Sequence, residues 1–581
     1  MRVVTQKILW PKFMSVFVFL LVCSILSVSA IPPDVEKELQ SRGEVYFRFP
    51  VSNQESLDLY ARILSLDYYD PEQGLLYSYA NKSSFKALMK KKAPDYELLT
   101  PPGLATEKNQ VTMLPEVDVT NIDSWAFYPT YGAYESMMQQ FEDEFPDLYQ
   151  RVEIGTTPGG RKLIFGRITS QVYQENDRPV FMYTSTMHGD ETTGFNLSLR
   201  LIHFLLNTYG ENPIVTQLLD ELEIWICPNE NPDGTYTSDN STVTGATRSN
   251  ANYVDLNRNY PNPVYVPEPT TQPETQAMKI LVQSIPFVMS ANMHTGIECV
   301  NYPWDSWTSS DNPHADHHWW QLVMHEYADT ARYYSPPGYM NPSGSSFNNG
   351  VTHGGDWYVV YGSRQDYMNY YAHQREFTLE LSDTKILPTD LLPEHWDYNY
   401  RSLLNYMQQS LNGIRGKVTD KQTGEPIAAT IEIIGHDKDN SYVYSSPLYG
   451  NFSRPILEGV YSLEISAEGY PSKTIEDVSV ENHQATWLDI KLSQQPADIA
   501  MDELPSISVY PNPASQYLYV DGLEGYHFLE IMDASGRIVL TTTHNKEKAF
   551  LQLDVSQLEK GLYFLRFPSQ ENRVIRGFIK K

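Results

Sequence analysis

A histidine and a glutamate stand three residues apart in the segment His188-Gly-Asp-Glu191. A catalytic zinc ion takes three protein ligands from residue types such as these and keeps a fourth position open for water. In a turn, the two side chains can converge on one ion while Gly189 lets the backbone bend. The pattern by itself is a weak signal, because a histidine and a glutamate at this spacing occur by chance in many chains.

Two further residues add weight to a metal site. His294 comes just after the apolar run Phe287–Ala291, where a third ligand can reach the same edge of a sheet. Glu380 lies inside the apolar run Phe377–Leu381. A carboxylate buried in a strand is costly unless it is paired or functional, and beside a metal ion it can accept a proton from water. We therefore predict a zinc site in which Glu380 acts as a general base.

The chain from about 122 to 411 must position these groups, and it alternates between strand-like and helical stretches. Apolar runs favour strands at Pro179–Thr184, Glu223–Cys227, Phe287–Ala291 and Phe377–Leu381. Between the first two, Asn196–Tyr209 has the apolar spacing of a helix. Such alternation predicts an α/β domain with a central mixed sheet. Catalytic groups of such folds usually lie at strand ends and on the loops that follow them.

Residues 1–30 are typical of a secretory signal peptide. They carry three basic residues and no acidic one, and their apolar run ends in small residues at Val28-Ser-Ala30. A signal anchor that stays in the membrane is the alternative, although the apolar run is short for a span of about 20 residues. We expect an exported protein that has no stable membrane span after signal removal.

Smaller domains are predicted on both sides of the α/β domain. Residues 31–121 alternate short strand-like runs with helical stretches, which predicts a small α+β segment and linker in the place of a pro-segment. Beyond Asn412, short alternating runs and turn residues predict two small all-β sandwich domains at 412–493 and 505–581. The polar stretch 494–504 is predicted to link them.

Composition excludes several classes of protein. Acidic residues outnumber basic ones by 72 to 43, for a formal net charge of −29, and this argues against nucleic acid as a partner because phosphates require Lys and Arg. A hydrophobic content of 41% provides enough apolar surface for packed cores. After signal removal only Cys227 and Cys299 remain, so one disulfide can form, but a disulfide scaffold is excluded.

Six ordered motifs resemble those of the zinc metallocarboxypeptidases, and the resemblance is closest to the regulatory branch that includes carboxypeptidases D, E, M and N. The motifs are Met187–Glu191, Asn231–Gly234, Arg248–Tyr260, Ser290–His294, Asn301–Asp305 and Gly362–Asp366. The resemblance covers about 122–411. It implies a carboxypeptidase-like fold, one zinc ion per catalytic domain, and removal of single residues from peptide or protein C-termini.

The resemblance also implies roles for the residues that match the metal site. Zinc is expected on His188, Glu191 and His294. Asp255 is expected to hold His188 from behind and to fix its tautomer. Glu380, in Phe-Thr-Leu-Glu-Leu, is expected to be the general base and then the general acid.

Other matching residues imply substrate contacts. Arg248 is placed like the arginine that stabilises the oxyanion, and Asn257 with Arg258 like the pair that binds the terminal carboxylate, a task that suits a guanidinium. The mobile tyrosine of the family falls on Asn369 in strict register. We assign that role to Tyr370, one residue later.

The residue released is predicted from the pocket motifs. In the regulatory branch, the aspartate of the Asn-Tyr-Pro-x-Asp run lies in the specificity pocket, and here it is Asp305 with Gln365 placed like its polar partner. A buried carboxylate there selects a basic C-terminal residue through charge-assisted hydrogen bonds. The usual Gly-Gly before the glutamine reads Gly362-Ser363 in this chain, and a solvated loop position for Asp305 is the alternative.

The flanking domains show resemblances of their own. Residues 413–492 resemble the transthyretin-like domain that follows the catalytic domain in the regulatory branch, and 505–581 resemble the C-terminal sorting domain of the type IX secretion system. The second resemblance implies the type IX machinery as a partner. It also implies export across both membranes of a Gram-negative bacterium, to the cell surface or the medium.

Two other functions remain open from the sequence. One is an enzyme of the same fold that releases D-amino acids or diaminopimelate from cell-wall peptides, which the order of motifs barely distinguishes. The other is an inactive binding protein on the cell surface. The complete ligand set and Glu380 argue against the second, because an inactive relative is expected to have lost at least one of them.

Overall fold

The fold is taken from a computed structural model. It describes residues 31–51, 54–71, 73–91, 95–105, 110–264, 270–344, 346–494, 507–523, 526–534, 536–544, 550–567 and 574–581. The predicted signal peptide, and the predicted linker apart from its first residue, lie outside the described residues. Within the described ranges, no helix is both long and apolar enough to cross a membrane.

The described residues divide into two compact units, of which the first contains those up to 51 and those within 62–99. Its sheet is antiparallel with the order β2-β3-β1-β4. The strands are β1 (Glu44–Pro50), β2 (Ser65–Asp70), β3 (Leu75–Asn81) and β4 (Glu97–Leu98), and the helices are Pro33–Arg42 and Lys82–Lys90. Alternate residues of β1 face a core that includes Phe47, Phe49 and Phe85.

The second unit contains the described residues within 54–61 and from 100 onward, and an eight-stranded sheet forms its centre. The strand order is β13-β12-β14-β11-β9-β10-β8-β7. The strands are β7 (Tyr149–Thr156), β8 (Lys162–Ile168), β9 (Val180–Ser185), β10 (Glu223–Cys227), β11 (Phe287–His294), β12 (Ile297–Tyr302), β13 (Val351–His353) and β14 (Arg375–Ser382). The short strands β5 (Met113–Leu114) and β6 (Tyr128–Pro129) pair separately.

The central sheet is mixed, as the sequence predicts. Its four inner strands, β10, β9, β11 and β14, run parallel, whereas β8 joins β10 and β12 joins β14 in antiparallel fashion. Every residue of β9, β10 and β14 is buried, which explains why these strands read as continuous apolar runs rather than alternating ones.

The second unit also contains helices, several of which contact the sheet and some of which begin at a capping side chain. They are Gln54–Ala61, Pro102–Ala105, Tyr131–Glu144, Thr193–Thr208, Pro213–Glu221, Pro232–Thr235, Pro273–Ser284, His317–Tyr333, Gly354–Trp357, Arg364–Tyr370 and Leu392–Gln409, with short 3₁₀ turns at Leu256–Arg258 and Thr389–Leu391. Ser363 caps Arg364–Tyr370 by accepting from the Asp366 amide. Leu197, Leu201 and Leu205 are fully buried on one face of Thr193–Thr208, as their spacing predicts.

The remainder of the chain is all β. The strands β15 (Gly413–Asp420), β16 (Thr430–Ile433), β17 (Val443–Tyr444), β18 (Asn451–Arg454), β19 (Gly459–Ala467), β20 (Tyr470–Val480) and β21 (Ala485–Leu492) form sheets of three and four strands. Ile414, Ile431 and Leu463 lie in the core between them. The strands β22 (Ser508–Tyr510), β23 (Tyr517–Asp521), β24 (Phe528–Asp533), β25 (Ile538–Thr543), β26 (Phe550–Asp554), β27 (Gly561–Phe567) and β28 (Val574–Lys580) form a second pair of sheets.

Three local expectations need correction or completion. The strand predicted at Phe287–Ala291 continues to His294, so this histidine ends the strand rather than following it. Cys227 and Cys299 are both buried free thiols, and no disulfide joins them. Gly189 does not lie in the left-handed region, so its conformational freedom is not what the turn uses.

Candidate active site

The candidate site lies at the carboxyl ends of the parallel strands. His294 is the last residue of β11 and stands in register with Glu380 on the neighbouring β14. His188 and Glu191 follow the end of β9 and precede the helix Thr193–Thr208. Since β9 and β14 are the two neighbours of β11, residues far apart in the chain meet at one edge of the sheet.

The three predicted ligands converge on one point. Ligand atoms of His188, Glu191 and His294 all lie within 4.8 Å of one another, and all three residues are buried. Nδ1 of His188 is 3.0 Å from Oε1 of Glu191, and Nδ1 of His294 is 2.7 Å from Oε2 of Glu191. The two histidine Nδ1 atoms are 3.1 Å apart. Two nitrogens and a carboxylate at these separations can share one ion.

Asp255 and Arg248 both contact this group. Oδ1 of Asp255 lies 2.9 Å from Nε2 of His188, which leaves Nδ1 of His188 directed at the ligand cluster. Nε of Arg248 donates to Oδ2 of Asp255 at 3.1 Å, and its Nη1 donates to Oε1 of Glu191 at 3.1 Å. Although burial opposes it, the charges of Arg248 and His188 hold the pKa of Asp255 well below its ordinary value. Asp255 is therefore ionised behind His188.

Lys385 is a further cation at the cluster, and sequence reasoning missed it. Its Nζ donates to Oε1 of Glu191 at 2.8 Å. Its backbone carbonyl accepts from the Thr192 amide and from Oγ1 of Thr295, so it joins the two segments that carry the ligands. Burial opposes ionisation of Glu191, but His188 and Lys385 hold its pKa well below the ordinary value. A lysine four residues beyond the strand motif offers no spacing signal that could have revealed this contact.

The donor set fits zinc. Two imidazoles and one carboxylate are a recurrent protein contribution to a catalytic zinc, with one position left open. Burial lowers the pKa of His294 to about 4, so its imidazole is neutral at physiological pH, as a metal ligand must be. Nε2 of His294 is buried without a hydrogen-bond partner among the described residues, whereas its Nδ1 faces the cluster.

Glu380 lies beside the metal cluster and is 9% exposed. Its β14 position places it next to His294 on one side and Cys299 on the other. The other residues of β14 are buried as well. A carboxylate at the edge of a buried ligand cluster, with some access to solvent, is suitably placed for proton transfer.

Asn257 and Arg258 lie on the 3₁₀ turn Leu256–Arg258, which is capped by Asp255, the residue that contacts His188. The Asn257 amide donates to Oδ1 of Asp255 at 2.8 Å, and Oδ1 of Asn257 accepts from the Arg364 amide at 2.9 Å. Nη1 of Arg258 donates to the Asn257 carbonyl at 3.0 Å. The turn thus connects the metal cluster to the loop that precedes Gln365.

The predicted pocket residues meet as a buried group. Oδ1 of Asp305 accepts from Nε2 of Gln365 at 2.9 Å, and a Cβ at Gly354 would lie 2.1 Å from the same oxygen. Asp305 is 4% exposed. Its loop is held by Asp366, whose carboxylate accepts from the amides of Asp305 and Ser306 at 2.8 and 2.9 Å. Burial raises the pKa of both Asp305 and Asp366.

The one-residue shift at the tyrosine position has a structural counterpart. Asn369 is fully buried, and its side-chain amide donates to the carbonyls of Gln365 and Glu376 at 2.9 and 2.8 Å. These two hydrogen bonds fix the Asn369 side chain inside the domain, so it cannot move over a ligand. Tyr370 is the last residue of its helix and only partly buried, with its ring 6.1 Å from that of Trp304.

The Asn231–Gly234 motif joins the loops that carry the site. Nδ2 of Asn231 donates to the Met187 and Arg248 carbonyls at 3.1 and 3.4 Å. A Cβ on Gly189 would lie 2.3 Å from the carbonyl carbon of Gly234. Gly189 is therefore needed for a close approach of two backbones rather than for a bend. The sequence shows the Asn231–Gly234 motif, but it does not show that the motif joins these loops.

The part of the chain that carries this site matches a known enzyme family. The zinc carboxypeptidase profile matches residues 134–402. Carboxypeptidase E of Caenorhabditis elegans is 30% identical over 400 residues, which cover 62% of this chain and 84% of that protein. The chain belongs to the zinc carboxypeptidase family. That family uses zinc, and His188, Glu191 and His294 are the residues of this chain that can hold it.

Two other carboxypeptidases are also similar to this zinc carboxypeptidase chain. Carboxypeptidase M of Mus musculus is 31% identical over 347 residues, which cover 58% of this chain and 77% of that protein. Carboxypeptidase D of Anas platyrhynchos is 30% identical over 462 residues, or 77% of this chain. The chain spans about a third of that relative's length, 32%.

The regions that follow the zinc carboxypeptidase domain also match known families. Residues 413–493 match the carboxypeptidase regulatory-like domain. Residues 508–581 match a secretion system C-terminal sorting domain. The second match supports export by type IX secretion to the cell surface or beyond.

Proposed function

We propose that this chain is an exported zinc-dependent exopeptidase that hydrolyses the C-terminal peptide bond of peptides and proteins and releases Lys or Arg. The proposal is supported by a buried His188–Glu191–His294 cluster together with a second buried group in which Gln365 donates to Asp305. The Asn257–Arg258 turn lies between them in the network of contacts. An exopeptidase needs these three parts to act on one chain end.

Each part of the network has one chemical task. Zinc, when bound, supplies a Lewis acid that makes a water more acidic and polarises a carbonyl. Glu380 accepts the proton of the attacking water and delivers it to the departing amine. Arg248 stabilises the negative charge that develops on the carbonyl oxygen. No covalent enzyme intermediate is needed.

The substrate is held at its terminal carboxylate and its last side chain. Arg258 and Asn257 bind the carboxylate, and this contact excludes peptides that continue beyond the cleaved residue. Asp305, held by Gln365, accepts the ammonium or guanidinium of a basic side chain. Burial of the Asp305 carboxylate strengthens the selection, because an uncharged side chain would leave it without a counter-ion. Tyr370 closes over the bound end.

The proposal includes the domain boundaries and location predicted from the sequence. The pro-segment-like part is 31–121, the catalytic domain 122–411, and the β-sandwich domains 412–493 and 505–581. Export across both membranes of a Gram-negative bacterium is supported by the sorting-domain match and by the signal-peptide pattern of residues 1–30. The expected partners are basic peptide C-termini and the type IX machinery.

Release of amino acids from synthetic peptides tests this function. Peptides ending in Arg, Lys, Phe, Leu or D-Ala are incubated with the wild type and with Glu380→Gln, each with and without a zinc chelator. We expect chelator-sensitive release of Arg and Lys. Glu380→Gln should lower kcat by between about 100-fold and 10,000-fold while keeping one zinc per chain, because Glu380 is not among the three ligands.

The other outcomes separate the alternatives. Release of D-Ala in preference to Lys would favour a cell-wall peptidase and reject the pocket assignment. Release of Phe or Leu would keep the zinc mechanism and reject the role of Asp305. Absence of release from every peptide, even after removal of 31–121, would favour a binding protein.

A further inference from the structure

A single buried aspartate joins the catalytic domain to the first β-sandwich domain. Asp316 is 2% exposed and lies on the loop before the helix His317–Tyr333. Its carboxylate accepts from Nη1 and Nη2 of Arg454 on β18, at 3.0 and 2.9 Å. It also accepts from Nε of Arg375 on β14 at 2.8 Å and lies 2.8 Å from Nε2 of His436. Groups from both domains thus meet on one carboxylate.

One loop of the sandwich makes several further contacts with the catalytic domain. We call residues 435–442, between β16 and β17, the clamp loop. Nζ of Lys438 donates to Oδ1 of Asn312, and Nδ2 of Asn312 donates to Oδ2 of Asp439, both at 2.9 Å. Further on, the Asn440 carbonyl lies 2.9 Å from Nδ1 of His373.

The clamp loop touches two catalytic segments, and each of them leads to the specificity pocket. One is 305–316, which begins at Asp305 and ends at Asp316. The other is 365–375, which begins at Gln365 and ends at Arg375, whose Nη2 donates to the Ser441 carbonyl at 2.6 Å. The clamp loop is thus attached to the far ends of the two segments that carry the pocket.

A path of contacts also connects Asp316 to the pocket directly. The Asp316 amide donates to Nδ1 of His314 at 2.9 Å. The His314 ring lies 4.8 Å from that of Trp304, the residue before Asp305. The Trp304 ring in turn lies 6.1 Å from that of Tyr370. Packed interiors of this kind transmit displacement, because their side chains have little room to adjust.

We propose that the first β-sandwich domain is part of the specificity apparatus: its clamp loop and Arg454 position Asp305, Gln365 and Tyr370 by holding Asp316 and the far ends of their segments. His436 and Arg454 are positioning residues and do not touch substrate. This inference rests on the proposed function for the identity of the pocket residues. It extends the domain's role beyond packing and stability.

The charges at the junction explain why it holds a fixed geometry. Burial opposes ionisation of Asp316, but the guanidinium groups of Arg454 and Arg375 hold its pKa well below the ordinary value. A buried ionised carboxylate must keep its cations in place, because losing one leaves an uncompensated buried charge. The planar guanidinium groups of Arg454 and Arg375 fix the orientation of the Asp316 carboxylate as well as its distance from them.

The test uses a matched pair at His436 in the full chain. His436→Leu removes the donor to Asp316, whereas His436→Gln keeps an amide donor near the same place. Tyr470→Phe is the control, since it removes a 2.8 Å bond to Asp420 inside the sandwich. Steady-state kinetics are measured on a Lys-ending peptide, and Tm is measured for every variant.

We expect His436→Leu to raise KM for the Lys-ending peptide about fivefold to tenfold with a smaller change in kcat, because the pocket is displaced while the metal cluster is not. His436→Gln should restore most of the wild-type KM, and Tyr470→Phe should not change it. Arg454→Met should show a larger effect if it folds. A lower Tm with unchanged KM in His436→Leu would reduce the clamp loop to a structural contact and overturn the inference.

Hydrogen exchange separates this inference from the proposed specificity. Exchange at the Asp305 and Ser306 amides, which donate to Asp366, should be faster in His436→Leu than in the wild type or Tyr470→Phe. That comparison requires no substrate. If the wild type prefers another C-terminal residue, the specificity proposal fails, but faster exchange still supports the positioning role. Unchanged exchange would contradict it whatever the substrate.

Discussion

Asp305 is a buried carboxyl group that is largely ionised at neutral pH, because burial raises its pKa only to about 6. Burial raises its pKa, while the side-chain amide of Gln365 donates to one of its oxygens. An incoming ammonium or guanidinium therefore gains a partner that no solvent has screened. Under the proposed function, the energetic difference between a basic and an apolar C-terminal residue is concentrated in this one side chain.

Asp305→Asn should remove the preference for basic residues while leaving the metal chemistry intact. A hydrogen bond to a charged group contributes about 1.5–3 kcal/mol, so kcat/KM for Lys-ending and Arg-ending peptides should fall roughly tenfold to 100-fold. Release of Leu should change little. Asp311→Asn, at an exposed position of the same segment, is the charge-matched control. An equal loss for Lys and Leu would contradict the pocket assignment.

The pH dependence of the preference follows from the direction of the Asp305 shift. Burial raises the Asp305 pKa above its ordinary value of 3.8, so the carboxylate is ionised above the raised pKa and neutral below it. As pH falls through that value, the ratio of kcat/KM for Lys to that for Leu should fall, by about tenfold per pH unit.

Taking the ratio of two substrates removes the titration of Glu380, which both share. In Asp305→Asn the ratio should be flat with pH. In the wild type, the ratio of kcat/KM for Lys to that for Leu could instead stay constant down to the ordinary pKa of an exposed aspartate. That result would show that the Asp305 carboxylate does not bind the basic side chain.

At the scale of elements, the geometry of the site depends on hydrogen bonds that hold three loops together at the carboxyl ends of the parallel strands. Asn231 holds the carbonyls of Met187 and Arg248. The Lys385 carbonyl holds Thr192 and Thr295. These contacts set the loop carrying His188 and Glu191 relative to the end of β11.

Gly189→Ala should disturb the close contact between the loops of Gly189 and Gly234. The new methyl group would lie 2.3 Å from the backbone of Gly234, so one loop must shift and the ligands with it. We expect zinc affinity to fall about tenfold to 100-fold, as for other changes that misorient metal ligands, measured by competition with a chromogenic chelator.

Gly132→Ala is the matched control for Gly189→Ala. Gly132 lies in the helix Tyr131–Glu144, and a Cβ there has no atom within 4 Å. The substitution should leave zinc affinity unchanged and stabilise the fold by at most about 1 kcal/mol. An unchanged zinc affinity in Gly189→Ala would mean that the loops can separate without cost to the ligand cluster.

At the scale of the whole molecule, metal binding closes a long stretch of chain. Glu191 and His294 are 103 positions apart, and the unfolded chain does not keep them together. An ion that binds only the folded state stabilises it by an amount that grows with the ratio of free metal to Kd, about 4 kcal/mol at a 1,000-fold excess.

Removal of zinc should therefore lower Tm by several degrees in the wild type. The measurement is calorimetry of the full chain before and after dialysis against a chelator, followed by zinc readdition. His294→Ala should melt at one temperature with or without chelator, because it lacks one of the three ligands. An equal chelator effect on the wild type and on His294→Ala would place the metal elsewhere.

The sequence already determined the residue types of the site and the class of fold. The ligands, Glu380, Asp255 and the mixed α/β sheet could be predicted, because buried parallel strands produce continuous apolar runs and because the ordered motifs resemble one family. The structure brings His188, Glu191 and His294 together, and Asp305 with Gln365, as that resemblance implies.

Only the tertiary structure decided how these residues are supported. Lys385 on Glu191, Asp366 behind Asp305, and the backbone contact of Gly189 with Gly234 join positions that no local spacing relates. The same holds for Asp316 and Arg454, which are 138 residues apart and in different domains. Periodicity and motif order report which residues share an element, whereas long-range contacts depend on how whole elements pack, and this packing is what sets the geometry of the site.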